Sequence, residues 1–368
     1  MTKFIAWVYK NVGKRVFFAM DPEYVHDRMT NIGKILGSNS VTKALIKWVF
    51  RFDDKILEQT VCGLKFKNPV GLSAGFDKNA ELHNIMNDVG FGFVEIGSVT
   101  LKPYDGNPKP RLYRLKKSQG IVVYYGLKNI GVEKIIPKLK NRKDKDLIVG
   151  VSVAKTNCKE TATVDQGVED YSGCLKKLKM ANVGDYYTIN ISCPNAFGGE
   201  PFVDTQSLEK LLAKLFMNKI DKPVLIKMPL DKQWSDFREL LLVIEKYPVS
   251  GVIIANLLKD RSAKEIVDVI PENIKGGISG RPTWRRSNEL INQTYKEFGK
   301  KLVIIGVGGI FSAEDAYEKI KCGATCVQLI TGMIFEGPQL IGSINKGIVE
   351  LLKKDGYSNI SEAVGKGV

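Results

Sequence analysis

The chain has 368 residues, of which 44% are hydrophobic and 26% charged, and it carries a formal net charge of +15. This balance excludes a disordered chain, and no apolar run of about 18 residues is present that would predict a membrane-spanning helix. No cleavable signal pattern opens the sequence, so we expect an intracellular protein.

The cysteine and histidine content predicts neither a metal site nor a disulfide framework. Six cysteines are scattered without CxxC pairs, and there are only two histidines. Cys322 and Cys326 lie at a helix-to-strand junction and are interpreted as buried small residues. The positive charge suits RNA, an anionic membrane surface or an anionic substrate, and it equally suits a solvated lysine-rich surface.

The first fifty residues predict three short helices with basic residues among the apolar ones. In the segment 4–20, apolar side chains recur at helical spacing, at Phe4, Trp7, Val8, Val12 and Val16. Asp21 and Gly37 bound a second helix, and a third covers 41–50. Basic amphipathic helices with Trp and Phe suit an anionic membrane interface. The alternative is that these helices pack on the rest of the chain as core.

From residue 69 onward, short apolar runs alternate with helical segments, which is typical of a parallel α/β fold. There are eight such runs, the number of strands in a (β/α)8 TIM barrel. They are "PVGLSAG" (69–75), "FVEIGSVT" (93–100), "LIVGVSV" (147–153), "YYTINI" (186–191), "VLIKMP" (224–229), "GVIIAN" (251–256), "LVIIGVGG" (302–309) and "CVQLIT" (326–331). The sequence therefore predicts a TIM barrel preceded by an amphipathic helical extension.

Several of these runs end in polar residues or glycines, and in a TIM barrel such residues converge on one active site. "IIGVGGI" (304–310) and "QLITG" (328–332) follow the last two strands, where backbone amides form a phosphate cup in many barrels. Flavin mononucleotide (FMN) is the leading candidate for the phosphorylated cofactor. Lys227, inside an apolar strand, would favour the reduced, anionic flavin; a structural salt bridge is the competing explanation.

The fourth run continues into "SCPNAFGG" (192–199), a polar loop with a thiol. Its position after a barrel strand predicts that Cys193 belongs to the site and that the loop is a movable lid before a Gly198-Gly199 hinge. With a reference pKa of about 8.5, a thiol there could act as a base or, when protonated, as an acid.

A family resemblance rests on long segments of the chain. They are "NPVGLSAGFDKNAE" (68–81), "GFVEIGSVTLKPYDGNPKPRLYRL" (92–115), "NISCPN" (190–195), "GGISGRP" (276–282), and "GVGGIFSAEDAYEKIKCGA" with "VQLITGMIFEGP" (306–338). The chain resembles the dihydroorotate dehydrogenases. Its N-terminal helices are similar to the extension of the quinone-using, membrane-associated class, where they form a hydrophobic entrance for the quinone. The resemblance implies an extension over 1–55 and an FMN-binding barrel over 56–368.

The resemblance also implies roles for individual residues. FMN would be surrounded by Ala74, Gly75, Ser98, Ser152, Asn190, Lys227, Ala255, Gly280, Gly309 and Thr331. The substrate would face Lys78, Asn190, Asn195 and Asn256. Cys193 occupies the position of the base that removes a proton from dihydroorotate while a hydride leaves for the flavin; a quinone later reoxidises the flavin. We expect membrane association through 1–50, at the inner face of the cell membrane.

Some positions depart from the family pattern. Val123, Leu127 and Lys128 stand where the family has Asn, an aromatic residue and Asn, and Leu257 stands where it has Thr or Ser. Each change removes a hydrogen-bond partner for the substrate. Ser152 replaces the usual Asn on the cofactor side, and Cys193 replaces the Ser usual in quinone-class members.

Three other functions fit parts of the pattern. A diverged family member would oxidise or reduce another dihydropyrimidine or a lactam ring. "NISCP" also resembles the loop of the tRNA dihydrouridine synthases, but no basic helical domain follows the barrel, and we expect no nucleic-acid partner. A flavoprotein without turnover would explain why the cofactor positions match better than the substrate positions. We expect deletion of 1–50 to abolish quinone turnover and leave flavin reduction intact.

Overall fold

The structure is a computed structural model that describes residues 2–197 and 199–368. Gly198, half of the predicted hinge, lies outside the described residues. The strands are β1 Gln59–Val61, β2 Leu64–Phe66, β3 Val70–Leu72, β4 Phe93–Val99, β5 Leu112–Leu115, β6 Gly120–Val123, β7 Ile148–Val153, β8 Tyr186–Asn190, β9 Val224–Lys227, β10 Gly251–Ile254, β11 Gly277–Gly280, β12 Val303–Val307 and β13 Cys326–Leu329.

Eight parallel strands close a barrel in the order β3, β4, β7, β8, β9, β10, β12, β13, and β13 pairs with β3. Each corresponds to one of the eight apolar runs, so the predicted TIM barrel is confirmed. The register places Asn190 beside Lys227 at the C-terminal ends of β8 and β9. Residues that end neighbouring strands are thereby brought to one rim of the barrel.

The helices are α1 Thr2–Val8, α2 Lys14–Ala19, α3 Pro22–Leu36, α4 Ser40–Phe50, α5 Met86–Val89, α6 Val132–Lys140, α7 Val164–Met180, α8 Thr205–Leu215, α9 Trp234–Glu245, α10 Trp284–Phe298, α11 Ala313–Lys321, α12 Thr331–Glu336, α13 Leu340–Lys354 and α14 Ile360–Ala363. Side-chain caps fix where several of them begin. The amide of Tyr24 donates to Asp21 Oδ1 at the start of α3, and that of Asp315 donates to Ser312 Oγ before α11.

Aromatic side chains fill the N-terminal end of the barrel. Phe93 and Tyr186 point inward, and Gly71 and Gly150 on adjacent strands leave room for their rings. A Cβ on Gly71 would lie 2.3 Å from the Phe93 ring, and one on Gly150 would lie 2.1 Å from the Tyr186 ring. Phe66 of the β1–β2 hairpin packs edge-on against Phe93 at 5.1 Å. The barrel is therefore a cup with a packed floor.

A three-stranded antiparallel sheet of β5, β6 and β11 lies outside the barrel strands, and it was not predicted. Its β6 strand ends at Val123, one of the positions that depart from the family pattern. Cys322 and Cys326 are both buried, which confirms their interpretation as small core residues.

The extension begins with α1 and α2, joined by a π-helical turn over Tyr9–Gly13, and continues with α3 and α4. Its inner face packs on the barrel: the Tyr9 hydroxyl donates to the carbonyl of Ile334, and Phe18 packs edge-on against Phe335. The predicted stripe from Phe4 to Val16 points outward and is exposed. Among the described residues, no helix is both long and apolar enough to cross a membrane.

Candidate active site

One cavity of about 390 Å³ begins at the C-terminal rim of the barrel and continues between the barrel and the N-terminal helices. Its inner end is polar and is built from residues that were predicted from the sequence. They are Ala74, Gly75, Lys78, Ser98, Asn190, Cys193, Asn195, Lys227, Asn256 and Thr331. The fold thus brings together side chains that are up to 257 positions apart, from Ala74 to Thr331 (331 − 74).

The other four predicted residues adjoin the cavity without lining it. Ser152 lies behind Ser98, with 2.8 Å between the two hydroxyl oxygens, and Ala255 directly precedes Asn256. A Cβ on Gly280 would lie 2.8 Å from Thr331 Cγ2. Gly309 lies against Trp284. Ser152, Ala255 and Gly280 therefore lie next to residues of the cavity wall, whereas Trp284 is not part of that wall.

The loop after β12 has the backbone shape expected of a phosphate cup. Gly309 adopts a φ of +71°, and a Cβ there would lie 2.2 Å from Trp284 Cβ, so only glycine fits. Among the described residues, no acceptor receives the amide N–H of Gly308 or Gly309. Thr331 begins α12, so its amide also lacks an intrahelical acceptor. These donors fit a phosphate group.

Lys227 supplies an under-bonded cation at the bottom of the cavity. Its ammonium is buried and, among the residues that the structure describes, has one hydrogen bond, a 3.4 Å contact to Ser73 Oγ. Glu95, inside the barrel, accepts hydrogen bonds from Thr188, Tyr186 and Gln328 through Oε2, and its Oε1 has no partner in the described part of the chain. Burial lowers the pKa of Lys227 and raises that of Glu95, and the charge of each opposes the shift of the other.

This combination fits FMN. Beside Lys227, Asn190 donates to Ser98 Oγ at 2.9 Å, and Ser98 in turn contacts Ser152. Together these groups offer a cation and a hydrogen-bonded polar wall to the electronegative edge of a flavin ring. The free amides after β12 could donate hydrogen bonds to the phosphate group. Both ends of the cofactor therefore have matching groups on this chain.

Cys193 lies in a loop that the barrel holds from three sides. Lys155 donates to the carbonyl of Phe197 at 2.6 Å, Asn107 donates to the carbonyl of Asn195, and Asn157 accepts from the amide of Phe197. Burial raises the pKa of the Cys193 thiol to about 11, and a hydrogen bond from the backbone of Asn195 opposes this shift. The thiol therefore holds its proton at neutral pH in the free protein.

Lys78 provides a second cation, on the side of the cavity that faces the extension. Its Nζ lies 2.9 Å from His26 Nε2 and 4.0 Å from the centre of the Tyr125 ring. Burial lowers the pKa of Lys78 to about 8, so most of the molecules carry the ammonium at pH 7. A carboxylate on a substrate would find its counter-charge here.

The three predicted amides are held by the protein. Asn256 donates to the carbonyl of Ser192 at 2.5 Å, and its Oδ1 accepts from the amide of Leu257. Asn195 donates to the carbonyl of Val123 at 2.8 Å. These bonds link the Cys193 loop to β10 and β6 and orient the amides toward the cavity.

The four departures on the substrate side all lie on the cavity wall: Val123, Leu127, Lys128 and Leu257. The side chains of Val123 and Leu257 present only hydrocarbon to the cavity. Lys128 turns away to donate to Glu23 Oε1 at 3.2 Å. A ring bound beside Lys78 therefore meets fewer polar partners than the family pattern would supply.

The outer end of the cavity is apolar and belongs to the extension. Its walls come from α2, α3 and α4 and from the barrel loops that face them, including Phe17, Val25, Met29, Ile32, Leu36, Ile46 and Phe50. This end belongs to the same cavity as the polar end. A long apolar molecule would fit there with its reactive end near the barrel rim.

Reasoning from the sequence missed three residues beside the site. Glu23 is buried and accepts from Arg111 at 2.9 Å as well as from Lys128. His26 contacts Lys78, and Tyr125 lies under it. The sequence did contain a signal for His26, because a residue type that occurs only twice in the chain is a candidate for a specific role. Among the described residues, no group of three or more His, Cys, Asp or Glu side chains could hold a metal ion.

Comparisons with known proteins agree on one family. A family model described as dihydroorotate dehydrogenase matches residues 56–352. The chain is 38% identical over 365 residues to dihydroorotate dehydrogenase (quinone) from Nautilia profundicola, covering 96% of each chain. It is 37% identical over 362 residues to the protein of the same name from Crocosphaera subtropica, covering 94% of each.

A solved structure gives the same result. The crystal structure of DHODH in complex with ferulenol from Eimeria tenella superimposes with a TM-score of 0.76 at 27% identity. The match covers 89% of this chain and 95% of that one. The structural similarity therefore extends over most of this chain.

Proposed function

The chain belongs to the dihydroorotate dehydrogenase family, and from that premise we propose that it oxidises dihydroorotate to orotate, with FMN as cofactor and a quinone as electron acceptor. This is a step of pyrimidine biosynthesis. The observation that carries the proposal is the single cavity with a polar, cationic inner end and an apolar outer end. One end suits a charged ring and the other suits a quinone.

At the inner end, each residue has a definite task. The Lys78 ammonium binds the substrate carboxylate, and the amides of Asn190, Asn195 and Asn256 orient the ring. Oxidation removes a proton from one ring carbon and a hydride from its neighbour, and Sγ of Cys193 takes the proton. Bound FMN supplies a two-electron acceptor for the hydride and a source of electrons for the quinone. Lys227 stabilises negative charge at the flavin edge.

The protonation state of Cys193 controls this step. Only a thiolate can accept the substrate proton, and with a pKa of about 11 roughly one thiol in ten thousand is ionised at pH 7. In the reverse direction the same group is a competent acid. In the free protein, Cys193 is therefore mostly in the thiol form, which donates a proton. We expect the oxidation of dihydroorotate to become faster as pH rises and the thiolate forms.

The extension supports the second half of the reaction and an attachment to membranes. Large apolar side chains are exposed on α1, α3 and α4, among them Trp7 at 58%, Ile35 at 67% and Trp48 at 69%. Arg15 and Lys47 are exposed nearby. An exposed apolar face rimmed by cations suits the surface of an anionic membrane, where a quinone dissolves. We place the protein at the inner face of the cell membrane.

We divide the chain at residue 55, into an extension of 1–55 and an FMN-binding barrel of 56–368. Two observations support this division. The family model begins at residue 56, and the strands begin at Gln59. The extension supplies much of the apolar wall of the cavity, whereas the polar residues of its inner end belong to the barrel part.

The direct test mixes the purified yellow protein with dihydroorotate under anaerobic conditions and follows flavin absorbance. Prompt bleaching followed by reoxidation with a quinone is the expected result. A protein that neither dihydroorotate nor another dihydropyrimidine or lactam bleaches would contradict the proposal and favour a flavoprotein without turnover.

A second candidate is the same chemistry on a different ring. Val123 and Leu257 favour it because both line the cavity with hydrocarbon. Bleaching by another dihydropyrimidine or a lactam, and not by dihydroorotate, would support it. In that case the Val123→Asn, Leu257→Thr double variant should gain reactivity with dihydroorotate, because it restores two hydrogen-bond partners.

A further inference from the structure

We propose that His26, a residue of the N-terminal extension, is a positioning residue of the substrate site: its imidazole accepts a hydrogen bond from Lys78 and aims the ammonium at the substrate carboxylate. The proposal rests on the proposed function, because it takes Lys78 as the group that binds that carboxylate. It gives the extension a part in the first half of the reaction, in addition to its contacts with the quinone.

The geometry around Lys78 leaves little freedom for its side chain. His26 Nε2 lies 2.9 Å from Nζ, and the face of the Tyr125 ring lies on another side at 4.0 Å. The His26 ring itself packs edge-on against Phe76, with 5.0 Å between centroids. Lys78 and Phe76 lie on the loop after β3, so this loop and α3 hold each other in place.

The surrounding charges require a neutral imidazole. Lys78 and Lys128 face His26, and burial together with these two cations holds the pKa of His26 well below its usual value. Asp27, Glu23 and Asp77 act on Lys78 in the opposite sense and help to keep it protonated. A lysine ammonium has donors only, so a neutral ring nitrogen is a suitable partner.

The helix that carries His26 is fixed to the substrate loop by a second contact. Glu23, one turn earlier on α3, accepts hydrogen bonds from Arg111 at 2.9 Å and from Lys128 at 3.2 Å. Lys128 belongs to the loop after β6 that also carries Leu127, and Val123 ends β6 itself. Two side chains of α3 thus reach two separate loops of the substrate site.

This arrangement revises the expectation for the N-terminal deletion. Removal of residues 1–50 would take away His26 and Glu23, so flavin reduction by the substrate should weaken together with quinone turnover. Point variants separate the two effects, because they leave the helices in place.

The experiment compares His26→Phe, which keeps a ring and removes the acceptor, with His26→Gln, which returns an acceptor near the position of Nε2. Calorimetry measures binding of orotate to the oxidised holoenzyme, and rapid mixing measures flavin reduction by dihydroorotate. We expect His26→Phe to raise the Kd for orotate and the KM for dihydroorotate roughly tenfold, with a smaller change in the maximum rate. His26→Gln should recover most of this loss, and Arg28→Gln, on the exposed side of the same helix, should behave as the wild type.

Equal orotate affinity in the wild type and His26→Phe would overturn the proposal. A measurement without substrate covers the case in which His26→Phe does not fold. The chain has two histidines, so 15N-histidine spectra contain two rings. Lys78→Met should shift the Nε2 resonance of His26 and leave His83 unchanged; an unshifted His26 would also overturn the proposal. A wild type that neither binds orotate nor reacts with dihydroorotate would instead refute the proposed function, and the spectra would still decide whether His26 holds Lys78.

Discussion

The two ends of the cavity are built on different principles. At the inner end, polar groups such as Asn190 and Asn256 end barrel strands, and bonds to Ser98, Ser192 and Leu257 fix their direction. At the outer end, helices present side chains such as Met29 and Ile32, which have no polar atoms to fix. The inner end can therefore select one ring by its hydrogen bonds, whereas the outer end selects by shape and hydrophobicity.

The junction between the two ends is the exception. There α3 inserts Glu23 and His26 among the cations Arg111, Lys128 and Lys78. The comparison teaches that the extension has two roles along its length: hydrophobic lining far from the barrel, and electrostatic support close to it. The following changes test how separate the two ends are.

The largest effect is expected at Cys193. Cys193→Ala removes the group that accepts the substrate proton, so flavin reduction should slow by about 10²–10⁴ while FMN stays bound. Stopped-flow absorbance under anaerobic conditions measures this rate. Reoxidation of chemically reduced enzyme by a quinone should be unchanged and serves as the control for the outer end. Reduction at a near-normal rate would remove Cys193 from the mechanism.

Lys227→Met should be the next most severe change. It removes the positive charge that opposes the raised pKa of buried Glu95, and it removes the cation at the flavin edge. We expect a lower Tm and a protein purified with little FMN. Lys227→Arg keeps the charge and should retain more cofactor. A Lys227→Met protein that is yellow and as stable as the wild type would show that the charge of Lys227 matters neither for FMN binding nor for stability.

At the outer end, the apolar face of the extension should bind membranes. Burial of about half of an indole side chain is worth about 2 kcal/mol, so Trp7→Ser and Trp48→Ser should each weaken binding to anionic vesicles roughly thirtyfold. Cosedimentation measures the binding. Met180→Ser, at an exposed apolar residue on α7, is the matched control. Flavin reduction by dihydroorotate should not change in any of these variants.

The smallest effect is expected when pH is changed by one unit and flavin reduction at the inner end is measured. The ratio kcat/KM for flavin reduction should rise about tenfold per pH unit up to about 8, as the Cys193 thiolate forms. Between about 8 and 11 it should be flat, because Lys78 loses its proton as fast as the thiolate accumulates. Lys78→Arg should convert this plateau into a continued rise. Reoxidation by the quinone should change far less over the same range.

Much of the fold could be predicted because the barrel strands are buried on both sides and therefore continuously apolar. Several residues that line the inner end were predictable for the same reason, because they lie at the end of such a strand, as Asn190 does in β8 and Lys227 in β9. The sheet of β5, β6 and β11 escaped prediction because its strands are short and, as in LYRL of β5 and GISG of β11, they are not continuously apolar as the barrel strands are. Such short strands carry too little alternation to be recognised.

The contacts of the extension could not be predicted from periodicity. His26 and Lys78 are 52 positions apart, and Glu23 and Lys128 are 105 apart. An amphipathic pattern indicates that a helix has two faces, but it does not indicate which side chain of the inner face meets a catalytic loop. The stripe from Phe4 to Val16 shows the same limit, because its spacing predicted the helix and left open whether the stripe faced the barrel or the surroundings.

The packed floor formed by Phe66, Phe93 and Tyr186 has a consequence for how the reactants move. Because that end is filled, reactants exchange at the opposite rim, where the cavity reaches both the Cys193 loop and the N-terminal helices. Under the proposed function, we expect charged, water-soluble molecules and the released proton to pass on the side of the Cys193 loop, and the apolar acceptor to pass between the helices. An inhibitor lodged between the helices should therefore be noncompetitive toward dihydroorotate, although both compounds lie in one continuous chamber.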